Sequence, residues 1–114
     1  MGDRHEHERT RENPAAPVKN LVTYVAKKGA EEQMLALVKK HELALRKVGL
    51  VTSEPFKVWK AHNIRTGELS IVEYFEWKDG KSSDVAHQTP EVMAIWEPMG
   101  PILEDLRICE IEQV

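Results

Sequence analysis

Residues 69–77, Leu-Ser-Ile-Val-Glu-Tyr-Phe-Glu-Trp, decide the fold of this chain. Their β-branched and aromatic side chains predict a β-strand. Successive side chains of a strand point to opposite faces, so one face carries Glu73 among four apolar residues: Leu69, Ile71, Phe75 and Trp77. The opposite face carries Val72 and Tyr74. Both faces therefore hold large apolar side chains, and both are expected to be covered.

The segments on either side of this strand alternate between strand and helix patterns. Strands are predicted over 20–26, 56–62 and 106–111, and a helix over 30–48. A helical turn is predicted over 84–87, capped by Ser82 or Ser83, and a second helix starts after Thr89. The resulting order is the α+β, ferredoxin-like βαββαβ arrangement. It predicts a four-stranded antiparallel sheet with two helices on one face.

Length and composition indicate one globular domain. The chain has 114 residues, of which 41% are hydrophobic and 31% charged. Residues 1–17 hold no large apolar side chain after Met1, so a flexible, solvated N-terminal arm is predicted there. The folded domain is then expected over 18–114. Two histidines in the arm, His5 and His7, are too few to indicate a metal site.

Charge and cysteine content exclude several classes of function. The net charge of −3 gives no basic surface for nucleic acid, and no apolar run is long enough to span a membrane. The single cysteine, Cys109, excludes an internal disulfide and a multi-cysteine metal site, and its apolar surroundings predict a small buried side chain. We therefore expect a cytoplasmic protein without a metal or a cofactor.

The second apolar face of the sheet predicts self-association. Helices cover only one face, and a large apolar sheet surface rarely remains in water. Packing two such sheets face to face about a twofold axis would hide both surfaces. We expect a homodimer whose two sheets form one α+β barrel.

Two segments resemble a known group of proteins. Residues 74–79 (Tyr-Phe-Glu-Trp-Lys-Asp) and 86–92 (Ala-His-Gln-Thr-Pro-Glu-Val), followed by Trp96, resemble the dimeric α+β barrel superfamily, in particular its antibiotic biosynthesis monooxygenase-like group. The resemblance spans roughly residues 18–114. It implies a small-molecule pocket, and in enzymatic members a cofactor-independent oxidation of aromatic compounds.

This sequence differs from the group at positions that matter for two of the activities found in it. Its haem-degrading members carry an asparagine on the first strand and a late histidine in the second helix. Here residues 21–26 hold no asparagine, and Trp96 stands near the position of that histidine, so haem degradation is not favoured. The polyketide monooxygenases carry an asparagine shortly before the strand-three tryptophan, where this chain has Glu73 and Tyr74.

Two residues are candidates for proton transfer. Histidine is the usual side chain for proton transfer, so His87 could protonate a substrate oxygen, or it could fix the loop between the two helical pieces. Glu73 lies on an apolar face, where a carboxylate needs either a partner or a raised pKa. Three residues of the neighbouring strand could pair with it: Lys57, Lys60 or His62. Without such a partner, Glu73 could act as a general base.

Six further residues are candidate substrate-binding side chains: Trp77, Tyr74, Trp96, Trp59, His41 and His62. The tryptophans could line a pocket for a flat apolar ligand, or they could form an ordinary core. His41 interrupts the apolar stripe of the first helix, which favours a buried, hydrogen-bonded histidine, and His62 is expected to be exposed at a strand end.

The leading interpretation is a small-molecule-pocket protein that resembles the cofactor-independent monooxygenases. In such a reaction a substrate carbanion itself reduces oxygen, and the protein supplies a proton acceptor and a dry pocket. The alternative is a non-enzymatic ligand-binding or stress-associated dimer. The sequence leaves open whether the protein is an enzyme.

Overall fold

The computed structural model describes residues 14–114, so most of the predicted arm lies outside the described residues. Four strands are present: β1 Val18–Ala26, β2 Lys57–His62, β3 Leu69–Trp77 and β4 Leu103–Ile111. Three α-helices accompany them: α1 Glu31–Lys47, α2 Ser82–Ala86 and α3 Pro90–Trp96. A 3₁₀ helix, Glu97–Ile102, joins α3 to β4. None of the helices in this part of the chain is both long and apolar enough to cross a membrane.

The sheet has the ferredoxin-like topology. Its strand order is β2-β3-β1-β4, and all neighbouring strands are antiparallel. The two central strands are β3 and β1, which are also the strands with buried residues at alternating positions. The predicted α+β fold is confirmed, and the predicted bounds of β3 match those of the structure.

Helix α1 covers one face of the sheet with an apolar stripe. The helix buries Met34, Val38, His41 and Leu45, which recur at helical spacing. Acidic residues in its first turn and basic residues in its last turn complement the helix dipole. The helix is followed by Gly49, whose φ of +72° lies in the left-handed region that favours glycine. The stripe places His41 directly over the central strands.

The second helical region is broken into short pieces. Pro90 opens α3, and Pro98 and Pro101 prevent a continuous α-helix beyond Trp96, so the chain tightens into the 3₁₀ helix. The predicted turn over 84–87 begins two residues earlier, because Ser82 is not a cap. Instead Ser82 is buried in the first turn of α2, where its hydroxyl donates to Asp79 Oδ1 at 2.9 Å. This bond and the Lys81 N–H lower the pKa of Asp79.

The face of the sheet away from the helices is here called the outer face. Strand register places on it the apolar and aromatic side chains of Leu21, Val25, Trp59, Val72, Tyr74, Cys109 and Ile111. All seven are half-buried or exposed, and Trp59 is 49% exposed. Cys109 is therefore not the fully buried residue that its neighbours in sequence predicted. The apolar character expected for both faces is present.

The start of β1 corrects one expectation. The strand begins at Val18 rather than at residue 20, and Asn20 lies inside it with its side chain among the buried, helix-facing residues. The sequence argument that the first-strand interior holds no asparagine is therefore wrong. The argument from Trp96 is unaffected, because Trp96 is the last residue of α3.

Candidate functional site

Glu73 is the centre of the candidate site. In the register of the sheet it lies between Val22 of β1 and Val58 of β2, and its side chain faces helix α1. Its exposed fraction is 0%. A carboxylate in this position has no access to water, so its hydrogen bonds must come from the protein.

The hydrogen bonds of Glu73 come from β1 and α1. The Tyr24 hydroxyl donates to Oε1 at 2.7 Å, and His41 Nδ1 lies 2.9 Å from Oε2 and 3.1 Å from Oε1. The predicted partners on β2 are wrong. Lys57 lies opposite Tyr74 on the outer face, while Lys60 and His62 lie opposite Ile71 and Leu69, further along β3.

Trp96 fixes the proton positions in this group. Its indole Nε1–H donates to His41 Nε2 at 3.0 Å. An indole N–H can only donate, so Nε2 must present its lone pair and the imidazole proton must be on Nδ1. His41 is then neutral and donates to Glu73, which accepts from both of its neighbours as a carboxylate. Tyr24, Glu73, His41 and Trp96 are hereafter called the buried network.

Tyr24 is the donor that Glu73 receives from β1. Burial, and then the negative charge of the Glu73 carboxylate beside it, raise the pKa of Tyr24 far above its usual value. The phenol therefore remains a hydrogen-bond donor at any pH at which the protein is folded. Tyr24 also lines a shallow cleft between β1, β3 and the start of α1, with room for about one water molecule.

An aromatic shell surrounds the imidazole of His41. Phe56 and Phe75 stack with ring centres 5.1 Å apart, and the His41 ring meets Phe75 edge-on at 5.5 Å. Trp77 packs edge-on against the other side of Phe75 at 4.8 Å and is buried. Trp77 is thus a core residue that is separated from His41 by the ring of Phe75. The aromatic shell keeps water away from the carboxylate–imidazole pair.

Trp96 connects this interior to the surface. The indole is half-buried, and on its outer side the ring of the exposed His87 lies 4.7 Å away. His87 Nδ1 donates to the Ser83 carbonyl at 2.8 Å, which fixes the imidazole against the C-terminal end of α2. Both readings of His87 remain compatible with this geometry: the ring is anchored, and its Nε2 is free of intramolecular hydrogen bonds within residues 14–114.

The other candidates do not join this group. Tyr74 and Trp59 lie on the outer face, across the sheet from Glu73. The Tyr74 hydroxyl lies 3.2 Å from Lys19 Nζ and 3.3 Å from Glu54 Oε2, in a polar cluster at the edge of that face. His62 is exposed at the end of β2, as expected. The structure therefore unites Glu73, His41, Trp96 and His87, with Trp77 nearby.

Sequence reasoning missed three residues of the site: Tyr24, Phe56 and Asn20. Asn20 and Tyr24 each lie two residues from Val22 on β1. Period-two spacing could therefore have placed all three on the face that Glu73 occupies. Asn20 is only 6% exposed, and its side chain makes no hydrogen bond to another residue of the described chain. No fully buried side-chain N or O atom between residues 14 and 114 lacks a partner, so the amide atoms of Asn20 keep some exposure and are available to a ligand.

The arrangement of Glu73 and His41 is chemically that of a general base. A buried carboxylate holds Nδ1–H, so the lone pair of Nε2 is directed away from it, towards the Trp96 indole N–H that it accepts. Once that N–H is withdrawn, Nε2 can accept a proton, and the carboxylate stabilises the resulting imidazolium. No group of three or more potential metal-ligating side chains occurs between residues 14 and 114.

Three solved structures share this fold at low sequence identity. A crystal structure of an antibiotic biosynthesis monooxygenase is 15% identical with a TM-score of 0.65, over 85% of this chain and 98% of that one. Rv0793 from Mycobacterium tuberculosis is 12% identical with a TM-score of 0.67, over 87% and 96%. A dimeric protein of unknown function with a ferredoxin-like fold, from Bacteroides fragilis, is 17% identical with a TM-score of 0.60, over 85% and 96%.

These comparisons show the fold. No protein-family model and no curated protein matches the chain. The resemblance to the antibiotic biosynthesis monooxygenase-like group is thereby confirmed for the architecture, including the ferredoxin-like sheet.

Proposed function

We propose that this protein catalyses a cofactor-independent oxidation of a small, electron-rich aromatic compound, in the manner of the monooxygenases whose fold it shares. The observation that carries the proposal is the Glu73–His41 pair. The two groups lie 2.9 Å apart in a water-free aromatic shell, and the acceptor nitrogen of the imidazole is directed away from the carboxylate. A base of this kind is what a reaction without metal or flavin requires from the protein.

In the proposed reaction the Trp96 indole first releases His41 Nε2, which then takes a proton from an acidic C–H or O–H group of the substrate. Glu73 stabilises the imidazolium, and the substrate anion transfers electrons to molecular oxygen. For a ring CH₂ group the overall change is CH₂ + O₂ → C=O + H₂O, in which carbon is oxidised and oxygen is the only oxidant. The aromatic shell lowers the local dielectric and strengthens the interaction between carboxylate and imidazolium.

Further side chains are assigned supporting roles in this proposal. The amide of Asn20 is suited to a substrate oxygen, because its donor and acceptor are not used by the described protein. Trp77 and Trp96 contribute the aromatic walls. His87, exposed beside Trp96, is positioned to exchange protons with solvent. His62, Trp59 and Tyr74 lie away from the buried network and are not part of the proposed site.

Anthrone is a suitable probe, because its acidic CH₂ group is flanked by two aromatic rings. We expect the protein to accelerate its oxidation to anthraquinone by at least about tenfold over buffer, with one O₂ consumed per molecule converted. Oxygen uptake and anthraquinone absorbance measure the two quantities independently. Metal chelators should leave the rate unchanged.

A non-enzymatic ligand-binding or stress-associated role is the alternative. It predicts saturable binding of anthrone, seen as quenching of tryptophan fluorescence, with oxygen uptake no faster than in buffer. That outcome would overturn the proposed oxidation and retain the proposal that the protein binds a small aromatic ligand.

We also propose that the protein is a homodimer that buries its outer face in an α+β barrel, and that it works in the cytoplasm. The apolar side chains of the outer face support the dimer, as does the dimeric Bacteroides fragilis protein of the same fold. The single cysteine, which needs no oxidising compartment, supports the location.

A charge at the centre of the outer face should separate the subunits. Val72 lies between Thr23 of β1 and Trp59 of β2, so Val72→Lys would place two like charges in the dry centre of the interface. Native mass spectrometry should show a dimer for the unaltered protein and a monomer for the variant. Ile64→Lys, at the exposed tip of the β2–β3 hairpin, is the matched control and should remain dimeric. A monomeric unaltered protein at micromolar concentration would contradict the barrel.

A further inference from the structure

Trp96 fills a position in the buried network that a ligand could take. We propose that its indole is a displaceable occupant of the ligand site: a hydroxyaromatic ligand enters between His41 and His87, and its O–H replaces the indole N–H as the donor to His41 Nε2. The inference rests on the proposed function only for the role of the ligand as a substrate, because the displacement of Trp96 by a ligand requires no turnover. It makes Trp96 the residue that determines which ligands are admitted.

The contacts of Trp96 differ on its two sides. On the inner side its N–H is bonded to His41 Nε2 at 3.0 Å, with the two ring centres 5.6 Å apart. On the outer side it meets the exposed ring of His87 at 4.7 Å. The indole is thus a flat aromatic group with one donor, held between a buried acceptor and a surface imidazole. These are the properties of the ligand that the same space would accept.

The chain around Trp96 is suited to local movement. Helix α3 has only seven residues, and the 3₁₀ helix that follows contains Pro98 and Pro101, which lack the N–H groups of a regular helix. Short segments of this kind open at lower free energy than the long elements of a core. By contrast, His41 lies in the 17-residue α1 and Glu73 in the central strand β3. The acceptor thus lies on long, central elements and the donor on a short segment at the edge of the helical layer.

The chemistry of Nε2 sets the selectivity. When the indole leaves, a buried acceptor loses its partner, and a ligand without a donor cannot restore the bond. A phenolic O–H restores this hydrogen bond. It also directs the phenol proton at His41 Nε2, the nitrogen that is proposed to remove a proton from the substrate. We therefore expect a phenol to bind roughly tenfold or more tightly than its methyl ether of nearly the same shape.

The experiment follows the three indole N–H signals of the unaltered protein by NMR, since the sequence contains three tryptophans. The probes are 1-naphthol and 1-methoxynaphthalene, and Trp59→Phe and Trp96→Phe variants assign the signals. With 1-naphthol, we expect the Trp96 signal to move saturably and to exchange rapidly with water. The Trp59 signal, from the outer face, is the internal control and should not move. The methyl ether should need at least about tenfold higher concentration for the same effect.

The remaining outcomes each decide the question. A Trp96 signal that stays in place at saturating 1-naphthol, or equal affinities for the phenol and its ether, would overturn the inference. No binding of either probe up to their solubility limit would also overturn it. Displacement of Trp96 without oxygen uptake from anthrone would retain this inference and reject the proposed oxidation. Oxygen uptake with an unmoved Trp96 would overturn this inference and keep the oxidation, with its base then located outside the buried network.

Discussion

Replacing Glu73 by Ala should lower the free energy of unfolding by about 3–5 kcal/mol, because it leaves two buried donors without an acceptor, at about 1–3 kcal/mol each. The carboxylate accepts the Tyr24 hydroxyl and the His41 Nδ1–H, and both buried donors lose this acceptor when Glu73 is removed. The truncation also leaves a cavity beneath α1, which adds to the loss. For a domain of this size the melting temperature should fall by roughly 12 °C or more.

The matched control is Glu76→Ala on the same strand. Glu76 lies on the outer face, where its side chain is 16% exposed and accepts a hydrogen bond from Thr52 Oγ1 at 2.7 Å. Because Thr52 can turn to water, this substitution should cost no more than about 1 kcal/mol. Thermal denaturation followed by circular dichroism measures both variants. If the two variants lost equal stability, the strand position rather than the buried network would account for the effect.

Glu73→Gln tests whether the charge matters as well as the shape. The glutamine oxygen can still accept one donor, but its NH₂ group faces Tyr24 or His41, both of which donate. One hydrogen bond is lost, and the glutamine NH₂ group points at another donor. We therefore expect the free energy of unfolding to fall by about 1–3 kcal/mol, less than in Glu73→Ala. A variant as stable as the unaltered protein would indicate that Glu73 is protonated in the folded state.

The sequence was sufficient for the fold because local patterns determine it. The alternation in residues 69–77 fixed which side chains of β3 share a face, and the separate helix starts predicted near residue 84 and after Thr89 indicated a broken second helical region. The need of Glu73 for a partner followed from the same alternation. These features depend on neighbours within a few residues, which a single sequence displays directly.

The partners of Glu73 could not be predicted in this way. Its donors are 49 and 32 residues distant, and Trp96 is 55 residues from His41. Periodicity placed His41 on the apolar stripe of the first helix and Glu73 on an apolar face of β3. It did not determine how far along the sheet α1 and α3 dock, and that offset decides which side chains meet. Strand neighbours such as Lys60 were therefore predicted as the partner of Glu73. The residue that is bonded to it, His41, comes from the helix.

Asn20 was missed for a different reason, since it lies at a strand boundary. Strand ends are the least certain part of any pattern, and beginning β1 at residue 20 and its interior at residue 21 removed Asn20 from consideration.

Replacing His41 by Gln should reduce kcat for anthrone oxidation by about 10²–10⁴-fold, the usual contribution of a general base. The substitution is chosen because glutamine can preserve both hydrogen bonds of the imidazole. Its NH₂ group can donate to Glu73, and its carbonyl oxygen can accept from the Trp96 indole, at the positions of Nδ1 and Nε2. An amide has no basic nitrogen, so the variant removes the proton acceptor and keeps the packing of the network.

The two readouts separate chemistry from folding. We expect the melting temperature of His41→Gln to change by only a few degrees, corresponding to about 1 kcal/mol or less, while turnover is lost. His62→Gln, at the exposed end of β2, is the control histidine and should retain both stability and rate. Steady-state oxygen uptake and thermal denaturation supply the measurements.

His87→Gln distinguishes the two histidines that flank Trp96. If His41 is the base, removal of His87 should lower the rate only modestly, because solvent can replace an exposed proton-exchanging group. A full loss of turnover in His87→Gln, with His41→Gln active, would move the base to the outer side of the indole. The buried pair would then be a structural element that holds Trp96 in place, and substrate would react at the surface of α2 and α3 rather than beneath them. The position of the base relative to Trp96 thus determines whether the indole must leave for the chemistry to occur.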